Sequence, residues 1–531
     1  MTETNETPAA AAASGAPPSA GPTPQGAEHL RGVARGGALN LVGAVIWGAS
    51  NFALLAVLTR GMGAESAGVV IVGIALFNIL ATVVGLGCSS GLVRHFSRQR
   101  ATGQVDLMRP TILVALVPVA VLGVLAGLFM WYLAPWFADV FGEGRSAAEV
   151  SATFRAMAPF LPVAAIYWVV IQGTRGFDTM RPVVVVDKVA RGLLLPPLAW
   201  VGVMIGLKPQ GIAALWAATT LVALVPASLA MRRLVLDAEA RHVGTPPTGT
   251  PLRVVAVDFW RFTAPRAVGQ VSEVAVNWMD TLIVGAMLGA TAAGIYGAGT
   301  RYLLPGLFVA DAIMQVVGPR ISGMMSRGEQ HHAQHMLGIA TGWQASILWP
   351  LYTVVLFFSP VLLAVFGKQV VEATGALRWL SVAVLVSSLA GPAASVILMS
   401  GRSVLSMINT LVLVGVNLGG NLLLVPRYGL TGAGFVWGIT LVIASFLPAA
   451  QTWRTLGLST MGKPGFMAGA IAAVAFFPPC ALALALFGQT WLAVGAACAL
   501  GVVLYAAAIT RFGAPLELKV LADAVRPRPE G

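Results

Sequence analysis

The sequence predicts an all-α polytopic membrane protein of about fourteen transmembrane helices, set as two six-helix lobes in a pseudo-two-fold parallel repeat plus two extra C-terminal helices. Three observations carry this expectation. The 531 residues are 57% hydrophobic and 10% charged, with mean hydropathy +0.82, against about 45–50% apolar and about 25% charged in an average soluble domain. Apolar runs of about 18 residues or more, each long enough to cross a bilayer as a helix, recur along nearly the whole chain. Short motifs also return in the same order in its two halves.

Residues 1–30 are rich in Ala, Pro, Ser, Thr and Gly and lack a basic segment followed by an apolar core. They predict a disordered cytoplasmic tail rather than a signal peptide. With turns, charges and Pro/Gly clusters as punctuation, the spans centre near residues 48, 80, 122, 164, 194, 221, 275, 307, 351, 389, 414, 441, 475 and 500. The domains follow: an N-lobe over 31–235 (spans 1–6), a cytoplasmic linker over 236–258, and a C-lobe over 259–455 (spans 7–12). Spans 13 and 14 occupy 456–512, and a second cytoplasmic tail occupies 513–531.

The net charge of +12 sits in short segments between apolar runs, where it sets topology and offers no continuous face for nucleic acid. Arg94, Arg98, Arg100 and Arg109 follow span 2, Arg175 and Arg181 span 4, and Arg232, Arg233, Arg241, Arg253 and Arg261 span 6. The alternate connections are poorer in Arg and Lys, and the one after span 3 carries Asp139, Glu143 and Glu149. Both termini are therefore expected in the cytoplasm. "GAESAG" at 63–68 returns as "GATAAG" at 289–294, Arg181 as Arg402, and Trp216 as Trp437, at offsets of 226, 221 and 221. Six helices per unit leave both halves in the same orientation, a parallel repeat.

Span 7 carries Arg266, Gln270, Glu273, Asn277 and Asp280, spaced four, three, four and three apart. At 3.6 residues per turn they share one face, about 21 Å long at 1.5 Å per residue. An ionised group at the centre of a span costs about 2.5–3.5 kcal/mol on insertion scales, so this face must meet the bundle interior, a partner or water. Span 8 carries Arg301, Asp311 and Gln315 on one face. Asp280 and Arg301 are equally far from the 290–291 turn, which predicts a buried ion pair. Arg266 is expected level with Gln315 and within a turn of Asp311. Two readings stand: ion pairs that clamp two helices, or a hydrated pathway in which Glu273, without an evident cation, exchanges a proton. In span 5, Asp187 and Arg191 read as an i,i+4 pair snorkelling to the interface beside Lys188. Asn51 and Asn78 read as interhelical hydrogen bonders.

Other signals point away from catalysis and cofactors. "GLSTMGKP" at 457–464 has Pro464 where a phosphate-binding loop needs a hydroxyl. His331, His332 and His335 read as a solvated loop without further metal ligands nearby. Cys88, Cys480 and Cys498 lie in apolar runs without CxxC spacing and read as small buried hydrophobes. No nucleophile elbow, Ser/His/Asp set or HExxH motif is present, so the expectation is a non-enzyme without cofactor or metal.

The chain resembles the polysaccharide-transport and O-antigen flippase family, the oligosaccharide-lipid flippases of the multidrug/oligosaccharidyl-lipid/polysaccharide exporter superfamily. The resemblance covers about residues 31–455. It rests on "ARGGALNLVGAVIWGASNFALLAVLTRGMGAESAG" and on "NWMDTLIVGAMLGATAAGIYGAGTRYLLPG" through "GPRISGMMSRGE", with Asp280, Gly289, Gly294, Tyr296, Arg301 and Pro319 at matching places. It implies two lobes around a cavity that opens alternately to each side of the cytoplasmic membrane. It also implies an isoprenyl-pyrophosphate-linked oligosaccharide as cargo, ion coupling, and membrane lipids and a glycan polymerase or other envelope-assembly proteins as partners. On that reading Arg266, Arg301, Gln270, Asn277 and Gln315 line the pyrophosphate and sugar cavity, and Glu273, Asp280 and Asp311 serve ion coupling. The alternatives are a cation-coupled multidrug exporter, disfavoured by two arginines in the stripes, and a non-transporting envelope-assembly scaffold.

Reporter fusions test the topology. Fusions after residues 144 and 370 are expected to report outside, and those after 103, 245 and 330 inside; one inversion in the first half would overturn the order of spans.

Overall fold

The computed structural model describes residues 24–142, 144–241, 249–400 and 402–512. The rest of the expected tails and the middle of the expected linker lie outside the described residues. Among the described residues the chain is helical nearly throughout, as a bilayer demands, since only helices and closed barrels satisfy the backbone there. Ten continuous helical stretches are long and apolar enough to cross a membrane. Three of them bend back at a single glycine: Pro24–Gly85 at Gly63, Leu252–Gly299 at Gly289, and Ser403–Leu456 at Gly429.

Split at these glycines, and with the short helix Ala134–Phe141 set aside, the elements among the described residues group into fourteen helices, consistent with the sequence expectation. The first half holds α1 (24–62), α2 (64–85, continued by Cys88–Ala101), α3 (Met108–Tyr132), α4 (Arg145–Met157, continued by Leu161–Gly173), α5 (Val183–Arg191 with Gly192–Met204) and α6 (Pro209–Arg241). The second holds α7 (252–288), α8 (290–326), α9 (Gln330–Leu363), α10 (Thr374–Ser388 with Ala393–Met399), α11 (403–428) and α12 (430–456). After these come α13 (Lys463–Phe487) and α14 (Trp491–Phe512).

Several expectations need correction. α1 begins within the expected tail, and α6 and α7 extend into both ends of the expected linker. At about 1.5 Å per residue, the 33 residues of α6 span about 50 Å, well beyond a hydrocarbon core of about 30 Å. The arginine-bearing turns therefore continue as helix outside the apolar layer. His331, His332 and His335 belong to the first turns of α9 rather than to a loop. Asn51 and Asn78 bond back to the carbonyls of Trp47 and Ile74 in their own helices, at 2.8 and 2.7 Å, and bridge no helices among the described residues.

The repeat is visible in the backbone. Gly63 has φ 82° and ψ 165°, and Gly289 has φ 81° and ψ 170°, a region that is essentially glycine-only. The two turns cross each other. A Cβ added to Gly68 would lie 1.8 Å from the Ala290 carbonyl oxygen, and one added to Gly294 would lie 2.4 Å from that of Ala64. Positions 64 and 68 correspond to 290 and 294 at the offset of 226, so one contact is made twice about a pseudo-two-fold axis. Trp216 packs edge-on against Phe77 of α2, and its counterpart Trp437 packs against Tyr296 of α8. The main apolar core runs through this crossing, from Leu54, Leu58 and Val70 to Ile295, Leu303 and Tyr352.

Gly68→Ala and Gly294→Ala are each expected to lower the thermal stability of the purified protein, by about 1–3 kcal/mol or more, because backbone stands where the methyl must go. Gly415→Ala, with nothing within 4 Å of the added carbon, should be neutral or stabilising by up to ~1 kcal/mol. Equal melting temperatures for all three variants would show that the crossing is not close-packed.

Candidate functional site

α2 and α7 belong to different halves and meet at a second place, near the arginine-bearing ends. There the Leu86–Gly87 kink, with φ 48° and 75°, turns Cys88–Ala101 across α7. A Cβ on Gly87 would lie 2.8 Å from the Thr263 carbonyl oxygen, so glycine permits this approach too. Gln270 donates to Ser89 Oγ at 3.1 Å and Ser90 Oγ at 2.9 Å. Asp258 receives the guanidinium of Arg98 and lies 3.4 Å from His95 Nε2, and Arg94 stands 4.0 Å from the Phe262 ring centre.

Between this contact and the Gly68/Gly294 crossing, α7 runs about 28 Å at 1.5 Å per residue, and here the polar face is open. Glu273 and Asn277 are exposed, as is Arg266 on the turn below. Asn277 donates to the carbonyl of Glu273 at 3.0 Å. Asp311 of α8 is also exposed, and it lies within electrostatic reach of Glu273 and of Lys188 on α5, in the other half. Lys188 donates to Asn40 Oδ1 of α1 at 2.8 Å. Acids of α7 and α8 thus lie within electrostatic reach of one another, and the α8 acid within reach of a lysine from the other half. The expected proximity of Arg266 to Asp311 yields no ion pair, and the side chain of Gln315 lies outside the described residues.

Asp280 and Arg301 are close enough to feel each other's charge, but the expected contact ion pair does not form. The Asp280 carboxylate, 1% exposed, accepts the Tyr296 hydroxyl at 2.8 Å and the Thr281 amide at 2.8 Å. Tyr296 stands nearer the turn than Arg301, and its long side chain reaches the acid first. Arg301 instead lies 5.3 Å from the centre of the Trp278 ring, and its buried Nε has no hydrogen-bond partner among the described residues.

The α5 pair forms but does not snorkel. Arg191 lies 3.5 Å from Asp187 and is only 4% exposed. It donates to Thr219 at 3.0 Å among Trp47, Tyr167 and Trp216. Tyr167 donates to Asp187 at 2.9 Å. The segment Val183–Arg191 is π-helical, a form that recurs at functional positions. Sequence reasoning placed Arg191 at the interface because its charge marked it as a surface group, and it missed Tyr167 and Tyr296, for which the signal available was that a buried phenol requires a hydrogen-bond partner.

A glycine-jointed bundle of this kind, with two repeated halves of long apolar helices, defines a multi-pass membrane protein. It matches the lipid II flippase MurJ in an inward closed conformation with TM-score 0.67 and 12% identity, over 92% of this chain and 99% of that one. An inward-facing multidrug resistance MATE family transporter of the MOP superfamily gives TM-score 0.58 and 16% identity, over 78% and 94%. A MOP superfamily transporter from Pyrococcus furiosus gives 0.50 and 16%, over 81% and 96%. At these identities the likeness establishes the fold alone. The chain belongs to the polysaccharide biosynthesis protein family, whose model matches residues 33–325, more than half of its length. None of the curated proteins matches it.

Because Tyr296 and not Arg301 holds the Asp280 carboxylate, Tyr296→Phe should destabilise the protein by about 1.5–3 kcal/mol, the worth of a hydrogen bond to a charged group. Arg301→Lys should change stability less. The reverse order in thermal unfolding of the purified variants would restore the direct ion pair.

Proposed function

We propose that the protein is a flippase that carries a polyprenyl-pyrophosphate-linked oligosaccharide, a cell-surface polysaccharide precursor, across the bacterial cytoplasmic membrane by alternating access coupled to an ion gradient. The observation that carries this reading is the exposed polar stretch of α7 between two interlobe contacts, Glu273 and Asn277 above all. Such groups inside a bilayer need water or cargo, and a lipid-linked sugar requires a wet route for its headgroup while its polyprenyl tail stays among lipids.

Arg266 and Arg301 are the candidate pyrophosphate ligands, since guanidinium forks match phosphate oxygens bidentately. Gln270, Asn277 and Gln315 supply amides for sugar hydroxyls. Glu273, Asp280 and Asp311 are the candidate coupling carboxylates, and Lys188 facing Asp311 ties their charge state to the approach of the two halves. Membership of the polysaccharide biosynthesis family supports the glycan cargo. The placement of arginines supports both termini in the cytoplasm, and the repeated motifs support an N-lobe of six helices, a C-lobe of six, and the α13–α14 pair. Opening toward the cytoplasm then requires separation of Asp258 from Arg98 and His95, and of Gln270 from Ser89 and Ser90. Opening to the other side requires the Gly68/Gly294 crossing to part.

Leaflet transfer of a fluorescent polyprenyl-pyrophosphate oligosaccharide in proteoliposomes tests the reading. The wild-type protein is expected to accelerate transfer, more so with an imposed proton or sodium gradient. Glu273→Gln should keep expression and melting temperature while abolishing the gradient's effect. No acceleration by the wild-type protein would refute the cargo, and unchanged gradient dependence in the variant would remove Glu273 from coupling.

A further inference from the structure

α8 does not run straight through the membrane. Its helical ladder holds over 290–299, tightens to a 3-10 turn at Thr300–Leu303, and restarts at Leu304. Pro305 is the local cause: it has no N–H to donate to the carbonyl of Arg301 four residues back, and its ring crowds that carbonyl. A break inside a bilayer leaves backbone groups that some other part of the protein must satisfy.

The hydroxyl of Tyr352, brought in from α9, meets them. It accepts the Gly306 N–H at 3.1 Å and lies 2.9 Å from the Tyr302 carbonyl oxygen and 3.1 Å from that of Leu303, so its single proton is shared between two acceptors. Tyr352 is fully buried. A Cβ on Gly306 would lie 2.6 Å from the hydroxyl oxygen, so glycine is what lets the tyrosine reach the backbone. On its other side the break is pinned by the Tyr302 hydroxyl, which donates to the Leu362 carbonyl at 2.6 Å. Arg301 projects from the middle of this pinned turn toward Trp278.

We propose that Tyr352 is a positioning residue: its hydroxyl substitutes for the interrupted ladder of α8 and thereby sets the direction in which Arg301 leaves the helix. Mid-helix 3-10 stretches are frequent hinge points, and a hinge directly beneath a half-buried arginine must be held if the guanidinium is to keep one orientation. The consequence for cargo rests on the reading of Arg301 as a pyrophosphate ligand; the geometric claim does not.

The two are tested separately on the purified full-length protein. Difference emission spectra against Trp278→Phe isolate the Trp278 component. Arg301→Ala is expected to shift that component, Tyr352→Phe to shift it in the same direction, and the double variant to shift it no further than Arg301→Ala. An unmoved component in Tyr352→Phe, or full additivity in the double variant, overturns the proposal; an unmoved component in Arg301→Ala overturns it too, since the stacking would be absent. If Tyr352→Phe is not recovered folded, Gly306→Ala, which displaces the hydroxyl without removing it, is read by the same criteria. Binding of undecaprenyl pyrophosphate in nanodiscs should weaken about tenfold in Tyr352→Phe, the cost of misplacing a charge-assisted hydrogen bond. Failure of the wild-type protein to bind that lipid would overturn the cargo reading alone and leave the spectral result standing.

Discussion

The crossing of two glycine turns fixes everything else in this molecule. Gly68 lies against the carbonyl of Ala290 and Gly294 against that of Ala64, with no space for a methyl at either. Backbone against backbone is the closest approach two helices can make, and here it joins the first helix pair of one half to the first pair of the other. The apolar core is continuous through it, so the halves are set by packing at this point and not by the polar groups nearby.

Given that anchor, the polar face of α7 becomes intelligible. Its ends are held, one by the crossing and the other by Gln270 with Ser89 and Ser90 and by Asp258 with Arg98 and His95. Of the groups between, Glu273 and Asn277 are exposed. An arginine and two carboxylates are tolerated in such a segment for three different reasons. Asp280 is sealed against a tyrosine hydroxyl and a backbone amide, Glu273 is open, and Arg266 lies exposed near the end of the apolar layer.

Much of this was legible in the sequence, for identifiable reasons. Apolar runs report a bilayer through length alone, so the helical class and the membrane-spanning stretches followed directly. The "GAESAG" and "GATAAG" motifs marked the repeat because a glycine-only backbone conformation cannot be replaced without strain. The stripe on α7 followed from helical periodicity. What was not legible depended on side-chain reach and on breaks in regular geometry. Residue counting from a turn set Asp280 level with Arg301, but a phenol six residues past the turn extends further than the count allows. The π-helical stretch of α5 and the 3-10 turn of α8 redirect Arg191 and Arg301 in ways a uniform 3.6-residue period does not contain. Asn51 and Asn78 found acceptors on their own helices, an option always open to a short amide.

The doubled contact at the crossing also bears on ancestry. A contact that one surface makes with its own copy is what holds a symmetric dimer together, and here both copies lie in one chain. A progenitor of half the length would have formed the same junction between two identical subunits, with a single small-residue motif answering to itself. With both copies in one chain the partnership is permanent, and each copy is free to differ from the other. The charges do differ: Asp187, Lys188 and Arg191 lie on one half, and Glu273, Asp280, Arg301 and Asp311 on the other. The glycines could not follow, because each is constrained by the backbone of its former twin.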